Sequence, residues 1–328
     1  MYTAFFGLTK MPFNMTPDPA FLYLTDQHRE ALAGLTYAIL DRKGFLALSG
    51  MAGAGKTTLL AWVLQKLPVS KVQSSVILNP TLTPNEFLEM TMLDFGIPDI
   101  PESKAHRLWL LQKFLLKGQR EDKVSVLIVD EAHKLSPEVL EEIRYLGNFE
   151  SPDAKLLQVV LLGQSELDEV LSRPELWQFK QRISVRLSLQ PLGASEVGDY
   201  IQHRWGVAGG PLPAPFSSEA IVNVARWSRG IPRLINSICD NALVQAFAEP
   251  VRTVSADHVQ MAARDLLLIE KQVSLVTPLP APAAAPPVAR PTPPRILQPF
   301  KLNTLDQYAP KTRKQSIFAR WAGRLRSV

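Results

Sequence analysis

The octet Gly50-Met51-Ala52-Gly53-Ala54-Gly55-Lys56-Thr57 constrains this chain more than any other stretch. It fits the pattern GxxxxGK[ST], and its flanks fit too: Gly44 to Leu48 reads as a short buried strand, and Thr58 to Leu67 as a helix. A strand, a glycine-rich turn and a helix in that order curl successive backbone N–H groups around a phosphate, with the positive end of the helix dipole behind them. Lys56 would reach the terminal phosphates and the Thr57 hydroxyl would hold Mg²⁺, while the other residues of the octet and Thr58 form the cradle.

Phosphate-loop chemistry needs a second part, and the chain supplies it downstream. Val126-Leu127-Ile128-Val129 reads as an apolar strand that ends in Asp130-Glu131. Asp130 is expected to support the metal, and Glu131 to orient and polarise an attacking water. His133 is read as a polar neighbour without a catalytic role. The apolar run 156–162 ends in Gly163-Gln164, which puts Gln164 beside the acid pair if the two strands are adjacent. Transition-state charge also calls for a cation. Arg182, just before a fifth strand, is preferred over Arg173 as a finger that faces a neighbouring subunit. Arg233, in Gly230-Ile231-Pro232-Arg233, opens a helix and is placed to reach back to the phosphates when its unit closes. A cation at that position opposes the helix dipole, which argues for a functional reason.

The strand-like segments near 45, 75–78, 124–129, 156–162 and 183–189 alternate with helical ones, which implies a doubly wound α/β sheet. Two helices, opened by Thr83-Pro84 and running over about 102–116, stand between the second and third strands, and Trp109 in the latter is assigned to the core. After Pro191 only helical patterns remain, over about 194–205, 217–227, 232–248 and 255–272. The expected units are therefore a nucleotide-binding α/β domain (1–190), a helical lid (191–272), a disordered Pro-rich linker (273–311) and a basic amphipathic helix (312–328). In that last segment Ile317, Phe318, Trp321, Ala322, Leu325 and Val328 share one helical face, with Arg313, Arg320, Arg324 and Arg326 off it. Such a helix suits an anionic membrane surface or a partner.

Composition narrows the setting. The chain has 328 residues and a formal charge of +5. From Arg290 onward nine basic residues face one acid, Asp306, a net +8 that leaves −3 for residues 1–289. No run of 18 apolar residues occurs, the N-terminus does not read as a signal peptide, and the single cysteine, Cys239, has no partner for an intrachain disulfide. A cytoplasmic protein is expected, peripheral at the membrane if the tail meets lipid.

These residues resemble the AAA+ ATPases, and more narrowly the general secretion pathway protein A group, whose members are linked to type II secretion and pilus biogenesis. The resemblance rests on Phe5-Phe6-Gly7-Leu8, Pro12-Phe13, Pro17-Asp18-Pro19, Leu22-Tyr23-Leu24 and His28-Arg29-Glu30-Ala31-Leu32. Leu161-Leu162-Gly163-Gln164, Gln181-Arg182-Ile183 and Gly230-Ile231-Pro232-Arg233-Leu234-Ile235-Asn236 add to it, so it covers about residues 1–270. It implies a five-stranded sheet of order 5-1-4-3-2, a helical lid, ATP and Mg²⁺ as ligands, and sensor roles for Gln164 and Arg233. It further implies a homo-oligomer or ring with an arginine finger in trans, working with secretion, pilus or export machinery. Well-known members continue into a membrane span and a peptidoglycan-binding region; this chain carries the proline-rich segment and basic tail there instead. The alternative reading is a DNA-associated ATPase similar to transposition helper proteins, which the acidic balance of residues 1–289 disfavours.

Overall fold

The computed structural model describes residues 2–68 and 70–268; the expectations for the linker, the tail and the end of the last helix lie outside the described residues. Five parallel strands, β1 (Phe45–Gly50), β2 (Val72–Ile77), β3 (Val124–Val129), β4 (Leu157–Leu162) and β5 (Ile183–Leu189), form one sheet in the order β2-β3-β4-β1-β5. This is the 5-1-4-3-2 order read in the other direction. The helices are α1 (Tyr2–Phe5), α2 (Asp26–Leu40), α3 (Lys56–Lys66), α4 (Pro84–Phe95), α5 (Lys104–Arg120), α6 (Pro137–Leu146), α7 (Glu166–Val170), α8 (Trp177–Lys180), α9 (Ala194–Val207), α10 (Ser218–Ser228), α11 (Pro232–Ala248) and α12 (Ala256–Asp265).

The near-continuous apolar strands are explained by two covered faces. Phe45 and Ala47, Leu127 and Val129, Val159 and Leu161 join one core with α4, α5, α6 and α8. Their sequence neighbours Leu46 and Leu48, Val126 and Ile128, Val160 and Leu162 join the other with α2 and α3. Edge strand β5 alternates instead, with Ser184, Arg186 and Ser188 exposed. Its register against β1 slips between Phe45 and Leu46, so that Ser184 is an extra residue. One extra residue moves the following side chains to the opposite face. Accordingly Ile183 packs on the first core, and Val185 and Leu187 on the second. The Ser184 hydroxyl donates to the Lys43 carbonyl at 2.7 Å and the Phe45 carbonyl at 3.0 Å, which steadies the bulge.

Trp109 does not pack in the core as expected: it is 52% exposed. The buried residues of α5 are Leu111, Leu115 and Gly118, one stripe of the helix. Trp109 stands two residues from Leu111, about 200° around the helix axis.

The helices after β5 enclose a third core. Val197, Ile201, Trp205, Ile235, Ile238, Leu243 and Val259 gather there around Cys239, whose thiol is fully buried and pushed well above its ordinary pKa by that burial. Tyr2, Phe6, Leu8, Phe13 and Phe21 from the N-terminal segment belong to the same core. That segment is strapped down by polar contacts as well. Thr9 N–H donates to the Ala208 carbonyl at 2.9 Å, and the buried Arg204 Nε donates to the Pro12 carbonyl at 2.7 Å. Residues 22–25 then lead back to α2, with Leu22 and Leu24 packed on the α2–α3 core. The chain therefore crosses between the helical unit and the sheet twice, here and at residues 190–193.

The second crossing is pinned. Leu192 N–H donates to the Gly230 carbonyl at 2.9 Å, and Gly230 has φ +72°. A Cβ on Gly230 would lie 1.9 Å from the Leu192 carbonyl oxygen. Gly230→Ala combines left-handed strain with a backbone overlap, so it should destabilise the protein by about 2–5 kcal/mol. Urea unfolding measures this; a midpoint equal to wild type would contradict the packing at the crossing.

Candidate functional site

β1 delivers its C-terminal end, Gly50, to the turn, and α3 begins at Lys56, two residues earlier than the sequence pattern suggests. Gly53 (φ +78°) and Gly55 (φ +96°) hold the left-handed conformations that let the turn close. Gly53 is needed for space too. A Cβ there would meet Arg233 Cβ at 2.6 Å, and Arg233 N–H donates to the Gly53 carbonyl at 3.3 Å. The first turn of α11 thus rests on the phosphate loop. Lys56 is 7% exposed, and its Nζ donates to the carbonyls of Gly50 at 2.6 Å and Met51 at 3.0 Å. Burial pushes its pKa below the ordinary lysine value, while Asp130, Glu131 and Glu166 favour the charged form.

β3 brings the acids to the same end of the sheet. The ladder continues one residue past β3, with Asp130 N–H donating to the Ile77 carbonyl at 2.9 Å. Asp130 Oδ2 accepts from Thr57 Oγ1 at 3.2 Å, and its Oδ1 accepts from Glu131 N–H at 2.8 Å. Burial raises the Asp130 pKa; these two hydrogen bonds oppose it. Glu131 sits at φ +52°, a conformation that carries strain for a residue with a side chain. The chain leaves the ladder there for the short turn Ala132–Lys134. Glu131 Oε2 lies 3.0 Å from Lys134 Nζ and 3.7 Å from His133 Nε2. Burial alone would raise the Glu131 pKa, but Lys134, His133 and a hydrogen bond from Gln164 outweigh it and hold it below the usual value. At neutral pH the carboxylate is ionised, as a proton acceptor must be.

β4 lies beside β3 and places Gln164 at Glu131. Gln164 N–H donates to His133 Nδ1 at 3.3 Å, so His133 ties the ends of the two strands together. A cavity of about 490 Å³ joins these parts. Ala52 to Thr58, Asp130, Glu131, Gln164 and Arg233 all line it. Arg182 does not. It precedes β5, whose first residue pairs with Phe45, at the end of the sheet away from the octet. There its guanidinium donates to the Arg144 carbonyl at 3.1 Å and to the Asn148 side chain. Arg173 is exposed and lies outside the cavity wall.

The rest of the cavity wall was not legible beforehand. Asn14 to Asp18 and Phe21 to Tyr23 line it from the N-terminal strap, with His28 from α2, and Leu192, Tyr200, Arg204 and Asn236 from the helical unit. Tyr200 OH donates to Asn236 Oδ1 at 2.9 Å and accepts from Arg204 at 3.3 Å, so the wall is ordered by its own hydrogen bonds. The resemblance at Phe5-Phe6-Gly7-Leu8, Pro12-Phe13, Pro17-Asp18-Pro19 and Leu22-Tyr23-Leu24 marked the strap without placing it at the cavity, and nothing in the sequence marks Tyr200 or Arg204.

Comparison with known proteins identifies the arrangement. A family model described as an AAA domain matches residues 39–171, which include the octet, Asp130, Glu131 and Gln164. General secretion pathway protein A of Aeromonas hydrophila is 42% identical over 267 residues, 81% of this chain and 48% of that protein. The chain belongs to the AAA+ class, in the general secretion pathway protein A group. This AAA+ chain spans about half the length of that relative. Subunit RuvB of the Holliday junction branch migration complex of Flavobacterium psychrophilum is 28% identical over 131 residues, 36% of each chain. Among solved structures, the Aeropyrum pernix ORC2 protein in its ADPNP–ADP complexes matches with a TM-score of 0.61 and 17% identity, covering 78% of this chain and 71% of that one. At that identity the likeness is one of fold. No helix among the described residues is long and apolar enough to cross a membrane.

Proposed function

We propose that this AAA+ protein hydrolyses ATP in a Mg²⁺-dependent reaction and uses it to energise or regulate assembly of a secretion, pilus or export apparatus. The observation that carries the reading is the convergence of the phosphate cradle with Asp130 and Glu131 on one cavity. The residues suit Mg²⁺: Thr57 Oγ1 and Asp130 Oδ2 form a hard-oxygen pair 3.2 Å apart at the loop. When bound, the metal would draw charge off the β- and γ-phosphate oxygens. The loop N–H groups and Lys56 bind and orient the phosphates. Glu131 takes the proton of a water that attacks the γ-phosphorus, the bond to the β,γ-bridging oxygen breaks, and ADP and phosphate leave. Gln164 steadies Glu131 and contacts the γ-phosphate side. Arg233 carries nucleotide state into the lid through its contact with Gly53.

The apparatus assignment is supported by the secretion-pathway relative. We take residues 1–190 as the nucleotide-binding domain and 191–272 as its lid, with the aromatic strap of residues 2–21 bound to the lid. The segment 273–311 serves as a spacer, and 312–328 as a tether to the cytoplasmic face of an anionic membrane. Deleting residues 312–328 should release the protein from phosphatidylglycerol vesicles in a flotation assay; unchanged flotation rejects the tether. Phosphate release from ATP, lost on chelation of Mg²⁺, tests the enzyme assignment.

The position of Arg182 at the far end of the sheet from its own cavity suits a finger offered to a neighbouring subunit in a homo-oligomer. Arg182→Ala should lose most turnover and regain it when mixed with Lys56→Ala subunits, which supply the arginine. No recovery on mixing removes the finger in trans.

A further inference from the structure

Helix α5 carries five Lys or Arg residues and no Asp or Glu, on a body whose net charge is negative. Two of these cations are spoken for: Lys104 pairs with Glu142 at 2.6 Å, and Arg107 with Glu89 at 3.1 Å. The other three, Lys113, Lys117 and Arg120, are exposed and form no ion pair among the described residues. Glu121, the nearest acid in sequence, is held by Lys123 at 2.6 Å. The three cations follow one another at helical spacing and share their face with His106 and Trp109. At 1.5 Å per residue the face runs for about 20 Å.

Trp109 is the only large aromatic on this face. Lys113 Nζ stands 3.9 Å from its ring centroid, and Trp109 is half exposed to solvent. The apolar side of α5 is already used. Leu111 and Leu115 are fully buried, and Leu108, Leu110, Phe114 and Leu116 pack on the same core. A helix that lies in a lipid surface needs a free apolar face, and α5 has none to insert. A row of unpaired cations with one exposed ring matches instead the chemistry of a single strand, whose phosphates follow the cations while an unstacked base lies on the aromatic. In a duplex the base faces are hidden in the stack, so the ring would find no partner there.

We propose that the exposed face of α5 is a binding site for single-stranded nucleic acid, with Lys113, Lys117 and Arg120 on the phosphates and Trp109 stacked on a base. No residue of α5 lines the nucleotide cavity, so this site stands apart from the ATPase reading and is tested independently of it.

The test is fluorescence anisotropy of labelled 20-mer oligothymidylate with the full chain, across a range of salt. Neutralising three single-strand phosphates corresponds to a slope of about −2 in log affinity against log salt. The variant Lys113→Gln/Lys117→Gln/Arg120→Gln should therefore lose about two from the wild-type slope and at least tenfold in affinity at low salt. Trp109→Ala should weaken the strand at least fivefold with the slope kept, and Trp109→Phe should remove the tryptophan quenching that stacking would produce. Binding to phosphatidylglycerol vesicles and the urea unfolding midpoint should stay at wild-type values in all three. The proposal is overturned if the triple variant keeps both slope and affinity, if a matched duplex loses as much as the single strand in Trp109→Ala, or if the variants lose vesicles rather than strand.

Discussion

Glu131→Gln should keep nucleotide binding and lose turnover by about 10²–10⁴-fold, the usual weight of a general base. The change is nearly isosteric and leaves the backbone at its left-handed φ. The amide still accepts a hydrogen bond from Lys134, and Asp130 keeps its bonds to Thr57 and to the residue-131 N–H. What disappears is the ionised oxygen, held below its usual pKa by Lys134, His133 and Gln164 against the pull of burial. Because the change leaves the loop N–H groups, Lys56 and Gln164 in place, affinity should change little. Phosphate release and equilibrium nucleotide titration on the same preparation separate the two quantities. Turnover at the wild-type rate would take the proton-accepting role away from Glu131.

Lys56→Ala acts on the other term. The ammonium is desolvated before any phosphate arrives and is fixed by two loop carbonyls. Removing one partner of a buried charge pair costs about 2–5 kcal/mol, so nucleotide affinity should fall by at least about 30-fold. The folded chain also loses a strained charge, since burial disfavours the lysine cation. The variant should accordingly fold as well as wild type. Retention of wild-type affinity would mean that the octet is a turn and not a phosphate site.

The parts of the fold that depend on burial pattern alone were readable. β3, β5 and α11 fall at the boundaries expected from apolar runs and from Pro232, because strands covered on both faces and a proline at a helix start leave strong local marks. α6 was overlooked although its signals were present: Ser136 caps it, Pro137 opens it, and Val139, Leu140, Ile143 and Leu146 recur at helical spacing. Trp109 was misplaced for a different reason. In α5 nearly every position between 108 and 116 is apolar, so periodicity cannot say which stripe faces the sheet. That the octet and the two acids line one cavity was legible, because phosphate chemistry needs particular residues in a fixed order. The strap was not, since burial of Tyr2, Phe6, Leu8 and Phe13 in a core built by residues about 200 positions later is a purely tertiary event.

That strap gives the cavity its likeness to a jaw with two covalent crossings. The phosphate end belongs to the sheet, and the opposite wall to the helical unit together with the N-terminal segment. Arg204 joins strap to lid by donating to the carbonyls of Pro12 and Asn14 while reaching Tyr200. Arg233 joins lid to loop at Gly53. In the proposed function, a shift of the loop on nucleotide binding would pass through these contacts into the helical unit and, through it, into the strap.

A structure of the protein with Mg²⁺ and a non-hydrolysable ATP analogue would decide whether the octet and the two acids hold one nucleotide. Phosphates are expected within hydrogen-bond reach of the Gly53 to Thr57 N–H groups, Mg²⁺ about 2.0–2.1 Å from Thr57 Oγ1 with Asp130 beside it, and Glu131 facing the γ-phosphate through a water. Nucleotide bound elsewhere, or phosphates in the cradle with Glu131 turned away from them, would contradict that arrangement.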